Sequence, residues 1–213
     1  MEILNYMALV KHNNNSISAV TSMASLTTGS MTLIKEQTAS SSASISFVDG
    51  SGGVVLDSTY PIYKFEFINI HPSTNGGQLS FNMSTDSGSN YNVAKTSTVF
   101  QASHNESGSS TSLNYESGED LAQGTGFQDF IVNIGNGNDE NASGEMYLFN
   151  PSSTTFVKHY ITHCATHHDS DYAVNYFCAG YGNTTSAVDG IQFKMHSGNI
   201  DSGTIKLYGI KDS

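Results

Sequence analysis

The sequence predicts an all-β protein, an antiparallel β-sandwich of about ten strands. Three observations carry that expectation. Apolar and polar residues alternate with period two in many short runs, as half-buried strands require. Clusters of Gly, Asn, Asp, Ser and Pro separate most of those runs. No long segment shows the 3.6-residue period of an amphipathic helix.

Residues 1–30 are polar and irregular, with Asn13-Asn14-Asn15-Ser16 at their centre, and read as an N-terminal arm. The weakly apolar stretch from Leu9 to Leu26 has room for a short strand or one turn of helix. Residues 31–213 read as one sandwich domain. Alternation begins at Met31, and Ser44–Val48 is a short strand stopped by Asp49-Gly50-Ser51-Gly52-Gly53. The clearest strand is Tyr60–Ile70, with Tyr63, Phe65 and Phe67 on one face and Ile62, Lys64, Glu66 and Ile68 on the other. A turn at Pro72–Gly77 leads to a strand carrying Leu79, Phe81 and Met83, and the pair is expected to form a hairpin. Further strands are expected at Tyr91–Phe100, Phe127–Ile134, Glu145–Phe149, Thr155–Cys164, Tyr172–Ala179, Ile191–His196 and Thr204–Ile210. The polar stretch from Ser103 to Gly126 reads as a surface loop with room for a short strand at Leu113–Tyr115.

The composition narrows the function classes. Only 13% of residues are charged, and the missing charge is replaced by Ser, Thr, Asn and Gly. Eleven Tyr and eleven Phe, many in alternating runs, argue against a disordered chain. The net charge is −11, and all eight basic residues are Lys. An acidic chain without the bidentate guanidinium group is not expected to bind nucleic acid or an anionic membrane surface. No segment approaches the roughly 18–20 apolar residues of a membrane-spanning helix. The leading Met1–Val10 lacks the basic start of a signal peptide, and Met7 is an alternative initiator.

Two cysteines, Cys164 and Cys178, are expected to be free thiols. With 166–171 as a hairpin turn, the residue facing Cys164 falls near position 173, which disfavours a bridge to Cys178.

No nucleophile elbow, zinc-protease helix, paired C-x-x-C or phosphate-binding loop occurs, and no catalytic residues, cofactor or metal ligands are assigned. His159, His163, His167 and His168 cluster with Cys164, Asp169 and Asp171, residue types that bind zinc or nickel. On one strand, however, His159 and His163 stand roughly 13 Å apart, and the cluster reads as a polar hairpin rim, with a pH-sensitive or metal-bridged contact between subunits as the alternative. Asp86–Asn90 and Asn136–Glu140 carry oxygen atoms at loop spacing, but both segments also read as ordinary turns. Scattered acids such as Asp120, Glu140, Glu145 and Asp189 define no glycosidase pair. The candidate ligand-contact loop is the hairpin His167, His168, Asp169 and Asp171, with Tyr172, Tyr176 and Tyr181 as aromatic platforms for a sugar ring.

Two segments resemble a family of tailed-bacteriophage structural proteins, marine cyanophage proteins among them. The first runs from Phe65 to Tyr91, a strand, the turn Pro72-Ser-Thr-Asn-Gly76, an alternating strand, then Ser84-Thr-Asp-Ser-Gly-Ser-Asn-Tyr91. The second runs from Ile191 to Ile210 and ends Gly203-Thr-Ile-Lys-Leu-Tyr-Gly209. Together they cover about a quarter of the chain. The resemblance implies a jelly-roll or concanavalin-like sandwich in a virion, and it carries over no catalytic residues.

The expected function is therefore a non-enzymatic virion structural protein assembled in the host cytoplasm, an exposed appendage or tail-fibre component or a capsid decoration protein. Its expected partners are other virion proteins and copies of itself, with a trimer as one such state. The alternative is a lectin-like module that holds a host surface glycan.

Overall fold

The computed structural model describes residues 30–211. Thirteen strands run in order β1 (Met31–Thr38), β2 (Ile45–Val48), β3 (Ile62–Pro72), β4 (Gly77–Ser84), β5 (Lys95–Asn105), β6 (Thr111–Tyr115) and β7 (Ala122–Gly124). They continue as β8 (Gln128–Ile134), β9 (Ala142–Phe149), β10 (Lys158–His168), β11 (Tyr172–Gly182), β12 (Gly190–Met195) and β13 (Ile200–Ile210). The described residues are all-β and antiparallel, with thirteen strands rather than about ten. The additional strands lie in the Ser103–Gly126 stretch, where β6 and the three-residue β7 both add to β5. β6 contains the short strand expected at Leu113–Tyr115, whereas the Ala122-Gln123-Gly124 of β7 leaves no alternating signal. The arm expected at residues 1–30 lies, but for Ser30, outside the described residues.

Hydrogen bonding divides the sheet into two tracts. The larger runs β1-β13-β3-β9-β10-β11-β5, with β6 and β7 on β5, and the smaller runs β8-β4-β12-β2. Among the named strands that are described, one residue pair joins them, His168↔Ile134. Side chains bind them far more strongly. Phe193 on β12 has zero exposure, and its ring lies 5.2 Å from both Phe65 and Phe67 of β3. Phe47, Phe81 and Phe130 complete a cage about it at 6.3–6.4 Å. Phe81 of β4 also meets Tyr160 of β10 edge-to-face at 4.9 Å. Edge-to-face pairs place a positive ring edge against a negative face, adding about 0.5–1.5 kcal/mol beyond the area buried. The smaller tract therefore contacts β3 and β10 of the larger through aromatic side chains, and the whole is one nearly barrel-shaped sheet.

The expected hairpin between Tyr60–Ile70 and Leu79–Met83 is not formed. β3 pairs with β13 and β9, whereas β4 pairs with β12 and β8. The chain crosses from one tract to the other between Pro72 and Gly77. β12 and β13 are likewise on different tracts. A bulge prepares the first crossing. Asn69 has a positive φ of 51°, opposite Gly203 at 118°, where a Cβ would sit 2.7 Å from the Asn69 carbonyl oxygen. The bulge changes the phase of β3, so that Ile70 and Pro72 follow Tyr63, Phe65 and Phe67 on the buried face. The two crossings are tied together, since the Ser73 amide donates to the Asn199 carbonyl and the Asn199 amide to Ser73 Oγ.

β10 and β11 do form the expected hairpin, but its turn is only Asp169-Ser170-Asp171, with Asp171 at φ 63°. A three-residue connection ending in a left-handed residue matches the twist of an antiparallel pair. Cys164 consequently faces Tyr176, not a residue near 173, because the strands extend to His168 and Tyr172. Both thiols are free and buried, and burial pushes Cys178 up to about 12 and raises Cys164 as well.

A polar node centred on Lys95 lies among the buried residues. Lys95 has zero exposure, and its ammonium group donates to Asn82 Oδ1 at 2.6 Å and the Val93 carbonyl at 2.8 Å. The Asn82 amide group in turn donates to the carbonyls of Tyr91, Thr125 and Gly126. Burial without a carboxylate partner lowers Lys95 from 10.5 to about 7.

Two measurements test these buried groups. Because Lys95 is protonated in the unfolded chain up to about 10.5 but only below about 7 in the fold, its linkage makes the native state gain stability as pH rises from 7 to 10. Urea melts at several pH values should show wild type gaining on Lys95→Met by up to about 1.4 kcal/mol per pH unit across that window. Parallel pH profiles would mean that Lys95 stays charged in the core. A disulfide reagent at pH 8 should leave both cysteines unmodified in the native protein and label both after unfolding.

Candidate functional site

The larger tract turns one face to solvent, and its side chains follow from register. On β10 the outward residues are His159, Ile161, His163, Ala165 and His167, alternating with buried Lys158, Tyr160, Thr162, Cys164 and Thr166. Opposite them on β11 stand Tyr181, Ala179, Phe177, Asn175 and Ala173. β5 continues each row with Thr96, Thr98, Phe100, Ala102 and His104, and β6 adds Tyr115, Leu113 and Thr111 beside the last three.

One row is an aromatic ladder. Phe177 stacks on His163 at 4.5 Å with planes 9° apart, and on Phe100 at 4.9 Å with planes 10° apart. The flanking rows carry shorter side chains on β11 and β5, Ala179 and Thr98 on one side and Asn175 and Ala102 on the other, so the rings form a ridge between two troughs. The larger trough, about 640 Å³, is lined by Ala102, His104, Ala165, His167, Ala173 and Asn175, among others. The second, about 470 Å³, is lined by Thr98, His159, Ile161, Ala179 and Tyr181 with their neighbours. Several apolar side chains stand in solvent here, namely Phe100 at 42%, Ile161 at 48%, Tyr115 at 55% and Leu113 at 73% exposure.

Beyond β10 the same face becomes charged. Lys64 on β3 bonds Glu66 and Glu145 at 2.9 Å each, and Lys206 on β13 meets Glu36 on β1 at 3.2 Å. Partial burial works against the Lys64 charge, but its hydrogen bonds to the two glutamates prevail and hold it above its ordinary range. The boundary falls between His163 and Glu145, which are register partners.

The residues singled out from the sequence are spread over this architecture. His167 lines the larger trough, with Nε2 3.1 Å from Glu106 and Nδ1 3.8 Å from Glu140. His168 lies 2.9 Å from Asp169, accepts the Ser170 amide on Nδ1 and meets Tyr172 edge-to-face. Asp169 and Asp171 form the turn, and Tyr172 packs against the core. Tyr176 is only 1% exposed and points inward, which corrects its assignment as a sugar platform. Tyr181 shares the outer face but stands beside His159, nine residues and about 30 Å along β11 from Tyr172. The hairpin tip therefore gathers His167, His168, Asp169, Asp171 and Tyr172 without the other two tyrosines. Sequence reasoning missed the ladder, although the alternation of Phe100 with Val99 and of Phe177 with Tyr176 and Cys178 was its signal.

Other polar clusters are engaged internally. Asp86 accepts from Ser84 Oγ and from the amide and side chain of Asn90, which is an ordinary turn. Glu140 folds back onto the Gly137 amide. Among the described residues, no three His, Cys, Asp or Glu side chains are grouped to hold a metal ion. Asp129 is raised by burial and bonds His196 at 3.1 Å, and Glu119 is also raised by burial.

The chain matches no family model, no curated protein and no solved structure.

The ladder also contributes to stability. Phe177 is the middle ring, so Phe177→Ala removes two stacked contacts and should cost about 1–2 kcal/mol in a urea melt. Phe100→Ala, at the exposed end, should cost less than half of that. Equal losses would show that stacking contributes nothing beyond area.

Proposed function

We propose that this chain is a non-enzymatic structural protein of a phage virion, an exposed appendage or decoration subunit that works by docking. The observation that carries this reading is the apolar half of the outer face. Four hydrogen-bonded strands hold Phe100, Leu113, Tyr115 and Ile161 out in water, and contiguous exposed apolar surface of this kind marks an interaction site. We read the two tracts as the leaves of a jelly-roll or concanavalin-like sandwich, with the Phe193 cage as the layer between them.

The two segments that resemble tailed-phage proteins support this reading together. They are the two crossings between tracts, joined by the Ser73–Asn199 hydrogen bonds. Glycan binding on the ladder is the weaker reading. Sugar stacking needs an open ring face, and both faces of Phe177 are covered by Phe100 and His163.

Immunogold electron microscopy and mass spectrometry of purified particles of the encoding phage test the assignment. Antibody against the chain should label intact particles, at the tail for an appendage or over the head for a decoration protein. Absence of label, with the chain also missing from the particle's mass spectrum, would refute the virion role.

A further inference from the structure

We infer that the uncharged half of the outer face is a self-association surface, occupied by the same face of a second copy of this chain. The inference rests on the docking role proposed above but not on the virion assignment.

Charge selects the occupant. The chain carries 19 acidic residues and a net charge of −11, so most of its surface repels a second copy. On the outward face of β10, β11, β5 and β6 no residue is Asp, Glu or Lys. Glu106 and Asp120 reach only its rim, bonded to His167 and Tyr115. A neutral apolar face brings two acidic molecules together without opposing carboxylates across the contact. Its basic side chains are the histidines His104, His159, His163 and His167.

Shape points the same way. The ridge Phe100–Phe177–His163 runs parallel to the trough row Ala102–Asn175–Ala165, displaced by two residues along the strands, about 6.7 Å. A two-fold axis parallel to the rows and midway between them lays each ridge in the other copy's trough. That is the self-complementarity an isologous contact requires. Leu113 of one copy then meets Tyr115 of the other. Four strands of about eight residues span roughly 500 Å² in projection, and the corrugated accessible area is larger. This approaches the roughly 800 Å² per partner of a standard stable interface.

The test is sedimentation velocity of the full chain between 1 and 100 µM, in 50 and 500 mM NaCl. Wild type should associate, and high salt should tighten association by screening the −11 charges while leaving the apolar contact intact. Phe100→Asp and Ile161→Asp, both on exposed positions, should each weaken association at least tenfold, with circular dichroism unchanged. Leu33→Asp, on the charged half of the face, is the control and should leave association unaltered. A wild-type monomer at 100 µM in high salt would overturn the inference and leave the face to a different virion protein. An oligomer that survives both aspartate variants would overturn it too, placing the contact elsewhere. Immunogold labelling is independent of either result, so the virion assignment stands or falls separately.

Discussion

The molecule depends on Phe193. Its ring is ringed by Phe47, Phe65, Phe67, Phe81 and Phe130, which come from β2, β3, β4 and β8. The backbone ladder joins the larger and smaller tracts at one residue pair among the named strands described, and buried side-chain bonds such as Lys95 to Asn82 and Ser97 to Gln128 add to it. Burying a phenylalanine contributes about 1.5–3 kcal/mol, so a six-ring cluster supplies a term on the order of 10 kcal/mol before entropy is counted. It also fixes register. A one-residue slip of β3 would turn Phe65 and Phe67 to solvent and bring Lys64 and Glu66 inward.

Alternation made most strands legible in the sequence, because each faces core on one side and water on the other. Tyr63, Phe65 and Phe67 and the outward Lys64 and Glu66 were assigned correctly from period two alone. Pairing was not legible. A strand, a Gly-containing turn and a second strand read alike whether the chain doubles back or crosses to another tract. What decides at Pro72–Gly77 is the bulge at Asn69, and neither Asn69 nor Gly203 announces its positive φ. The β10–β11 turn was misplaced by the same ignorance of exact strand ends, which moved the partner of Cys164 by three positions. The aromatic ladder went unseen because Phe100 lies more than sixty residues before His163 and Phe177 and meets them only through the β5–β11–β10 register.

The face that register creates has two chemistries on one continuous surface. From β9 to β1 the outward groups include ion pairs, as Lys64 makes with Glu66 and Glu145, beside exposed Met31, Leu33 and Ile68, and such exposed or half-exposed pairs contribute little to stability. From β10 to β6 the outward groups are rings, alanines and hydroxyls. The contrast is sharpest at His163, which stacks on Phe177 on one side and has Glu145 as register partner on the other. The apolar groups that this half leaves in water suit contact with another surface.

The place of β13 has a consequence for how the protein is made. β1 is hydrogen-bonded to β13, with Thr38 opposite Thr204, so the first described strand waits for a partner 166 positions later. At roughly 5–20 residues per second, translation leaves β1 unpaired for about 10–30 s. During that interval β1, with Met31 and Leu33, is a strand without a sheet, next to nascent copies on the same messenger. Productive folding becomes a race between the arrival of β13 and capture by a neighbouring chain, and the yield of native protein should depend on how crowded the ribosomes are.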